Sequence, residues 1–487
     1  MKNILIAIRS IFKKGRHNVM KIVSLGIGLA VGLVLIAKVY FEQSYDGFYP
    51  DRDRVYQVWA KYQQNGGELK DYPQTSGGIA PTMQQQIPEI ETVTRYTSFG
   101  DWTFTMTDTK MKYSGRCIIA DSCFFDILPR PMLIGNAKEV LSTPMYVLVS
   151  SRIAKNIGGD VIGKNFTVDS SPGRTMTIGG VFEEVPENSH SRYDVIVSMA
   201  SAGRFMWEGS PTNMLGNDRY ISYVKLHKGV NPLALEEQVH TFVNSYFPPE
   251  EQQKTGFNIG FSFHELDGLH KELPQVKRMT WILSLLAFAL IFTAVMNYIL
   301  IVISSIVNRS KEVAVHKCYG ASENNIHGMM FGEALVHIVL SLILALLLIL
   351  AFRGTVEELL ATSLDSLLLS NGSLVLLGIC ILVFFVSGFM PGSLYARIPV
   401  ASAFRNYREN KRIWKKALLL VQFVATGFLV TMLVFVARQY TFMVNDRPGY
   451  AYENLAYCGL AGVDSTSRAK MLDEVSRTEM ETYARIQ

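Results

Sequence analysis

The stretch IVSLGIGLAVGLVLIAKVYF, residues 22–41, decides the fold class of this chain. A helix rises about 1.5 Å per residue, so a nearly uncharged stretch of this length matches the hydrocarbon thickness of a bilayer. Lys38 is close enough to the end of the stretch for its amine to reach the interface. No small-residue cleavage site follows, so we expect a retained membrane anchor and not a cleaved signal peptide.

Further along the chain, four more stretches lack charged residues. They are residues 279–308, 334–352, 366–396 and 417–437. A backbone in lipid must satisfy its own hydrogen bonds, so each stretch should be helical. The composition agrees, because 49% of the residues are hydrophobic and only 18% are charged, against about 25% charged in soluble proteins. We therefore predict five membrane spans, the fourth ended or kinked at Pro391.

Basic residues fix the orientation of these spans. We count Lys and Arg outside the spans and outside the large block between the first two spans. Most of them lie in residues 1–21, 309–333 and 397–416, whereas residues 353–365 hold one base against three acids. Positive charge marks the cytoplasmic side. We therefore predict a multi-pass membrane protein with a cytoplasmic N-terminus. The segments predicted outside are residues 42–278, 353–365 and 438–487.

Residues 42–278 are numerous enough for a folded extracytoplasmic domain of one or two lobes. Residues 55–62, 175–181 and 220–226 have the alternation or β-branched content of strands, and residues 233–246 have a helical pattern. The predicted class is α+β. Five cysteines are too few for a disulfide scaffold; Cys117 and Cys123 could pair or remain two free thiols.

Two segments of this domain resemble catalytic motifs. Residues 158–165 nearly match a phosphate-binding loop, but Asn165 stands where a hydroxyl should coordinate magnesium, so a glycine-rich turn is the better interpretation. Ser189, His190 and Asp194 supply the residue types of a hydrolytic triad, but they crowd into one polar loop, whereas triads assemble from separated segments. No histidine or cysteine spacing indicates a metal site, and no basic, aromatic face indicates nucleic acid. We expect a protein that is not an enzyme.

Gly28 and Gly32 have the GxxxG spacing that allows membrane helices to approach closely. A helix-packing role and the general tolerance of membrane spans for glycine explain the pair equally well.

The loop after the second span carries the most specific pattern. RSKEVAVHKCYGAS, residues 309–322, resembles the cytoplasmic signature of FtsX/MacB-type ABC transporter permeases. Residues 124–126, 162–164, 179–181 and 185–190 resemble the MacB-like periplasmic domain of that family. Residues 44–46 and 54–56 are similar to the two-module permeases of Bacteroidetes-type bacteria.

In that family the signature loop contacts a separate ATPase. The resemblance therefore implies five ATPase-coupling candidates: Glu312, Lys317, Gly320, Ala321 and Ser322. From the residues themselves we predict a short helix that ends near Gly320, with Ser322 capping the next helix and with Val313, His316 and Tyr319 on one face. Without the resemblance, a basic loop that touches only lipid headgroups is an equal alternative.

The function implied by the resemblance is that of a permease subunit of the mechanotransmission kind, in the bacterial cytoplasmic (inner) membrane. ATP hydrolysis by a cytoplasmic ABC ATPase would move residues 42–278, for efflux or envelope transport. The chain itself would hold no cofactor, since the partner binds ATP. Further implied partners are a second permease in a homo- or heterodimer, membrane lipids, and periplasmic or outer-membrane components. We expect no acidic or basic residues to line the later spans, which fits force transmission better than a polar channel.

Two alternatives remain open. One is an FtsX-like regulatory or sensory scaffold that controls an envelope partner, although the size of the outer domain favours the transporter. The other is a non-functional half-permease. Two-module members continue with a complete second outer domain and three more spans, whereas this sequence ends at Gln487. We therefore expect residues 438–487 to begin an incomplete second domain, as in a truncated product, a split gene or a fragment.

Overall fold

The computed structural model describes residues 18–169, 173–216, 218–304, 306–368, 372–396 and 413–445, and six residues between 469 and 477. The chain divides into two compact units. The helical unit comprises Met1–Ser44 and Leu273–Ala451, and the sheet unit comprises Tyr45–Glu272 and Tyr452–Gln487. Much of the predicted segments 1–21, 397–416 and 438–487 lies outside the described residues.

The helical unit begins with α1, Asn18–Gln43, which contains the first predicted span. One side of this helix is apolar and buried, with Leu25 and Leu29 almost fully enclosed, whereas Ile27 is half exposed. Such a division is typical of a helix that packs on one side and faces lipid on the other.

The sheet unit is built on one mixed sheet, in which the described residues form eleven strands. These are β1 (Val55–Gln64), β2 (Lys70–Tyr72), β3 (Ile90–Met106), β4 (Lys112–Ala120), β5 (Met132–Ile134), β6 (Tyr146–Ser150), β7 (Asn165–Val168), β8 (Thr175–Phe182), β9 (Val195–Ser198), β10 (Ile221–Leu226) and β11 (Phe257–Glu265). The strand order is β11-β1-β10-β3-β4-β9-β6-β8-β5, with β2 on β1 and β7 between β3 and β8. The pairs β4–β9 and β6–β8 are parallel and the others are antiparallel.

Short helices connect and cover these strands. They are α2 (Ile79–Gln86), α3 (Phe124–Ile127), α4 (Ala137–Ser142), α5 (Ser151–Ile157), α6 (Ala202–Phe205), α7 (Glu236–Tyr246) and α8 (Pro249–Thr255). Their ends follow local chemistry. Pro249 occupies the first turn of α8, and Gly256 ends that helix in the left-handed region at φ 64°. Ser150 caps α5 by accepting a hydrogen bond from the backbone N–H of Ile153.

Three apolar clusters hold the sheet unit together. In one of them, α2 and α7 cover β1 and β10, where Val58, Val224 and Met83 are fully buried. The other two centre on Phe104 and Phe124 respectively. Burial of side chains this large provides most of the driving force for folding.

The strands predicted at residues 55–62, 175–181 and 220–226 correspond to β1, β8 and β10. The predicted helix 233–246 is divided, because Pro232–Leu235 forms a 3₁₀ turn and the α-helix starts at Glu236. Tight 3₁₀ turns are common at the start of α-helices.

The helical unit continues after the sheet unit. Its helices are α9 (Pro274–Ser304), α10 (Ile306–Cys318), α11 (Glu323–Ala351), α12 (Arg353–Leu360), α13 (Leu364–Leu368), α14 (Ser373–Ala396) and α15 (Ile413–Asn445). One apolar core joins α1, α9, α10, α11 and α14.

Within the described residues, four helices are long and apolar enough to cross a membrane: α1, α9, α11 and the Leu419–Asn445 part of α15. A shorter apolar helix, Ser373–Phe389, lies in α14. The predicted fourth span, residues 366–396, therefore starts too early, because α14 begins only at Ser373 and α13 is a separate helix. The Gly372 carbonyl accepts the first hydrogen bonds of α14, from Val375 and Leu376. Asn371 and Gly372 favour turns, which the count of uncharged residues ignored.

Candidate functional site

The C-terminus of α10 is closed by a left-handed glycine. Gly320 has φ +87°, and its N–H donates to the Lys317 carbonyl at 3.0 Å, while the N–H of Ala321 donates to the His316 carbonyl at 3.0 Å. These two bonds form a Schellman motif, which satisfies the last carbonyls of a helix. The backbone direction after α10 is therefore fixed by the sequence itself.

Ser322 then starts the next helix. Its side-chain oxygen accepts a hydrogen bond from the N–H of Asn325 at 3.3 Å, and Glu323 follows in the first turn. A hydroxyl at the N-cap and an acid beside the positive end of the dipole both favour the start of a helix. We call residues 312–325 the coupling turn. Gly320, Ala321 and Ser322 of the candidate set thus lie together between α10 and α11.

The coupling turn has one buried and one exposed side. Val313 and Ala314 are 1% exposed and belong to the apolar core of the helical unit, together with Ile326. On the other side, His316 is exposed and Tyr319 is 88% exposed. The prediction that Val313 shares a face with Tyr319 is wrong, because Val313 is buried in the core and Tyr319 is exposed.

Glu312 and Lys317, the two charged candidates, are half-buried. They lie about 1.4 turns apart on α10 and so do not project in the same direction. Tyr319 and Val315 expose more surface than either of them. The candidate set omitted these two residues, because the buried face of α10 depends on the surrounding helices and could not be assigned from the sequence.

Gly28 and Gly32 face α9. A Cβ atom built at Gly28 would lie 2.2 Å from the Cβ of Ala294, and one at Gly32 would lie 2.4 Å from Cγ1 of Ile291. Neither position has room for a side chain without movement of the neighbouring helix. The two glycines therefore lie where α1 and α9 approach each other closely.

Ionisable groups occur inside the helical unit, contrary to the expectation for the later spans. Glu333 is 7% exposed and His337 is 1% exposed, one turn apart on α11. The Nδ1 atom of His337 shares a hydrogen bond of 3.1 Å with the hydroxyl of Tyr298 on α9. The charge count overlooked this cluster, because it treated histidine as neutral and placed Glu333 before the span.

Lys38, near the end of α1, is buried among polar partners. It is 8% exposed, pairs with Glu42 at 2.7 Å and donates to the Thr362 hydroxyl at 2.8 Å. Because a buried cation needs such partners, these contacts tie the end of α1 to the segment after α12.

The two catalytic resemblances in the sheet unit find structural explanations. Residues 158–165 connect a helix, α5, to a strand, β7, whereas a phosphate-binding loop leads from a strand into a helix. Lys164 donates to the carbonyl of Gly158 within this turn.

Cys117 and Cys123 are free thiols.

The aspartate that contacts Ser189 and His190 is Asp46, not Asp194. The Ser189 hydroxyl donates to Oδ1 of Asp46 at 3.1 Å, and Nδ1 of His190 lies 2.8 Å from its Oδ2. Asp194 instead pairs with Arg152 at 2.5 Å. Asp46 is 0% exposed, and the Ser189 hydroxyl has two acceptors at 3.1 Å, this carboxylate and the Ser191 carbonyl. The cluster is therefore a buried structural network and lacks the serine–histidine bond of a triad.

Comparison with known proteins gives two matches to family models. Residues 20–242 match the MacB-like periplasmic core domain, and residues 284–400 match the FtsX-like permease C-terminal region. Together they account for more than half of the chain. No curated protein matches the chain.

Solved structures resemble part of the chain. A domain assigned to a permease protein from Porphyromonas gingivalis is 32% identical, with 45% of this chain and 91% of that chain covered and a TM-score of 0.41. The periplasmic region of MacB from Actinobacillus actinomycetemcomitans is 16% identical, with 42% and 87% covered and a TM-score of 0.29. The extracellular domain of the noncanonic ABC-type transporter YknZ from Gram-positive bacteria is 10% identical, with 42% and 98% covered and a TM-score of 0.30.

The predicted fold class is confirmed: strands and helices form a MacB-like periplasmic domain, and several apolar helices could span a membrane. The resemblance read from residues 309–322 is confirmed by the match that contains them. With a MacB-like core after its first long helix and an FtsX-like region over the helices that follow, the chain belongs to the FtsX/MacB-like family of ABC transporter permeases.

Proposed function

We propose that this chain is a permease subunit that couples ATP hydrolysis on a separate cytoplasmic ATPase to movement of its MacB-like domain, for efflux or envelope transport. Permeases of this family generally work with a cytoplasmic ABC ATPase and are generally not enzymes themselves. The observation that carries the proposal is the coupling turn, which exposes Tyr319 on one side and buries Val313 in the helical core on the other.

A docking element of this kind must be stiff as well as exposed. The Schellman motif at Gly320 and the cap at Ser322 fix both ends of the turn with backbone hydrogen bonds. Behind it, Val313 and Ala314 share one apolar core with residues of α1 and α9. Since close-packed interiors transmit displacement, a push on the exposed side would reach the helices that flank the MacB-like domain in sequence.

The charge pattern supports a cytoplasmic location for the turn. Basic residues in segments 1–21, 309–333 and 397–416 all favour the same side of the inner membrane, with the N-terminus cytoplasmic. ATP would be bound by the partner. A second permease copy would complete the assembly.

Replacement of Tyr319 by alanine tests the docking proposal. Exposed tyrosines at protein interfaces commonly contribute about 2 kcal/mol, which corresponds to about 30-fold in affinity. We expect Tyr319→Ala to reduce co-purification with the ABC ATPase of the native host and the ATPase activity of the complex. The matched control is Tyr440→Ala on α15, where the tyrosine is 68% exposed; it should leave both quantities unchanged.

Variants of the turn backbone extend this test. Gly320→Val places a β-branched residue at φ +87° and should misdirect the turn, and Glu312→Lys reverses a charge on its half-buried side. Association that remains undiminished in Tyr319→Ala, Gly320→Val and Glu312→Lys would remove the docking claim. Equal losses in these variants and in Tyr440→Ala would show a general effect on folding.

A further inference from the structure

A cleft in the sheet unit has three aromatic walls. It lies beside β1, β2, the start of β11 and the loop before β10, and its volume is about 550 Å³. Its lining comprises Tyr62, Tyr72, Gln74, Leu215, Gly216, Asp218 and Phe257, and we call it the aromatic cleft. Small-molecule sites commonly measure about 300–1,000 Å³ and combine apolar walls with a few polar groups.

Strand register creates the walls. Tyr62 lies opposite Lys70 on β2 and opposite Ile259 on β11, so Tyr72 and Phe257 are its diagonal neighbours on the same face of the sheet. The ring centroids of Tyr62 and Phe257 are 5.2 Å apart with an interplanar angle of 22°, and those of Tyr62 and Tyr72 are 5.5 Å apart at 51°. Three π-systems therefore border one space.

Asp218 supplies the polar group. Its Oδ2 accepts a hydrogen bond from the Tyr62 hydroxyl at 2.6 Å, and its Oδ1 accepts one from the Ser76 hydroxyl. Burial and the bond to Asp218 raise the pKa of Tyr62, so the phenol stays protonated and donates. Each of the two donors uses one lone-pair site on one oxygen, and an ionised carboxylate has about four such sites. The carboxylate is oriented and still able to accept.

We propose that the aromatic cleft binds an organic ammonium ion, with its charge beside Asp218 and its alkyl groups against the three rings. Aromatic faces attract cations through their quadrupole, and quaternary ammonium groups are commonly recognised by aromatic side chains. An anion would be repelled by Asp218. A neutral apolar molecule would cover the carboxylate without pairing it, which costs free energy.

Two basic residues flank the aromatic cleft without lining it. Lys70 is exposed on β2, and Arg219 is exposed next to Asp218 in the chain. Long side chains at exposed positions can extend into solvent, but the charge of Lys70 still opposes a cationic ligand. Its removal is therefore predicted to strengthen binding, which is the opposite of what an anionic ligand would show.

Choline and its neutral isostere 3,3-dimethylbutan-1-ol test the proposal directly. Titration into the full chain in a maltoside detergent, followed by ligand-observed NMR, avoids phosphocholine detergents that carry the probe group. We expect saturable binding of choline, at least about tenfold tighter than that of the alcohol. No saturable choline binding at millimolar concentration, or equal binding of the two probes, would overturn the proposal.

Variants locate the binding. Asp218→Asn should weaken choline about tenfold and leave the alcohol unchanged, while Asp71→Asn, on the exposed strand β2 outside the lining, is the matched control. Tyr72→Leu removes a wall that is 43% exposed and so tests the rings with little risk to folding. Lys70→Ala should tighten binding. Unchanged choline affinity in both Asp218→Asn and Tyr72→Leu would place the ligand elsewhere and contradict the proposal.

The proposal goes beyond ATPase docking and does not depend on it. The choline titration needs no partner protein, and Tyr319→Ala should bind choline as the wild type does. Failure of docking with retained choline binding, or the reverse, therefore tells the two proposals apart.

Discussion

At Gly28 a single hydrogen atom in place of a side chain sets the distance between α1 and α9. A Cβ there would lie 2.2 Å from the Cβ of Ala294, a separation that real Cβ atoms essentially never show. We expect Gly28→Ala to force the helices apart and lower the free energy of unfolding by about 1–3 kcal/mol. Thermal unfolding of the purified full chain in detergent measures the change.

The control for that substitution is another helical glycine. Nothing lies within 4 Å of a Cβ built at Gly378 on α14. Alanine is a better helix former than glycine by about 0.5–1 kcal/mol, so Gly378→Ala should leave the unfolding temperature unchanged or raise it. If Gly28→Ala is equally harmless, close contact at the GxxxG pair does not stabilise the bundle.

Asp46 is the second residue whose environment predicts a large effect. It is 0% exposed, has φ +57°, and accepts hydrogen bonds from the Ser189 hydroxyl and the His190 N–H. Alanine would remove the acceptor of the His190 N–H and one of the two acceptors of the Ser189 hydroxyl, at a cost of about 1–3 kcal/mol, and would tolerate the positive φ poorly. We expect Asp46→Ala to lower the unfolding temperature of the sheet unit in the full chain.

Asparagine is the informative comparison at this position. It adopts positive φ more readily than most residues and keeps one acceptor oxygen, so Asp46→Asn should cost less than Asp46→Ala. Limited proteolysis during a temperature ramp reports on the sheet unit in both variants. Identical unfolding of Asp46→Ala and the wild type would show that the buried network with Ser189 and His190 contributes no stability.

Among the elements, the coupling turn shows what local sequence predicts. Gly320 and Ser322 act through their own backbone and the next few residues, so the end of α10 and the start of α11 could be predicted from sequence. The buried face could not be assigned, because it depends on which other helices surround α10. Helical geometry does place Val313 and Tyr319 about 120° apart, so the expectation of a shared face had also neglected the period.

The sheet shows where prediction from sequence ends, because strand pairing depends on residues that are distant in the chain. Alternation and β-branched content predicted β1, β8 and β10, but a strand pattern contains no information about its partners. The parallel pairs β4–β9 and β6–β8 join separate parts of the chain. For the same reason Asp46, which lies 143 residues from Ser189 in sequence, could not be foreseen as its partner, and proximity in sequence pointed wrongly to Asp194.

Across the whole molecule, the thiols can report the sidedness on which the docking proposal depends. Cys318, at the end of α10, is exposed. Cys117 is fully buried in the sheet unit, and burial raises its thiol pKa well above the ordinary value. Burial also raises the pKa of Cys123, and the nearby Asp121 carboxylate adds to this effect. Maleimides react with thiolates, so these two cysteines should react slowly at neutral pH.

We therefore expect a membrane-impermeant maleimide to label Cys318 in inverted membrane vesicles and to leave it unlabelled in right-side-out vesicles. A Cys458→Ser background removes the cysteine that lies outside the described residues, and Cys318→Ser in that background should abolish the fast labelling. Because Cys318 precedes Tyr319, the label reports directly on the coupling turn. Labelling from the outer side would place Tyr319 across the membrane from any cytoplasmic ATPase, and the docking proposal would then be wrong.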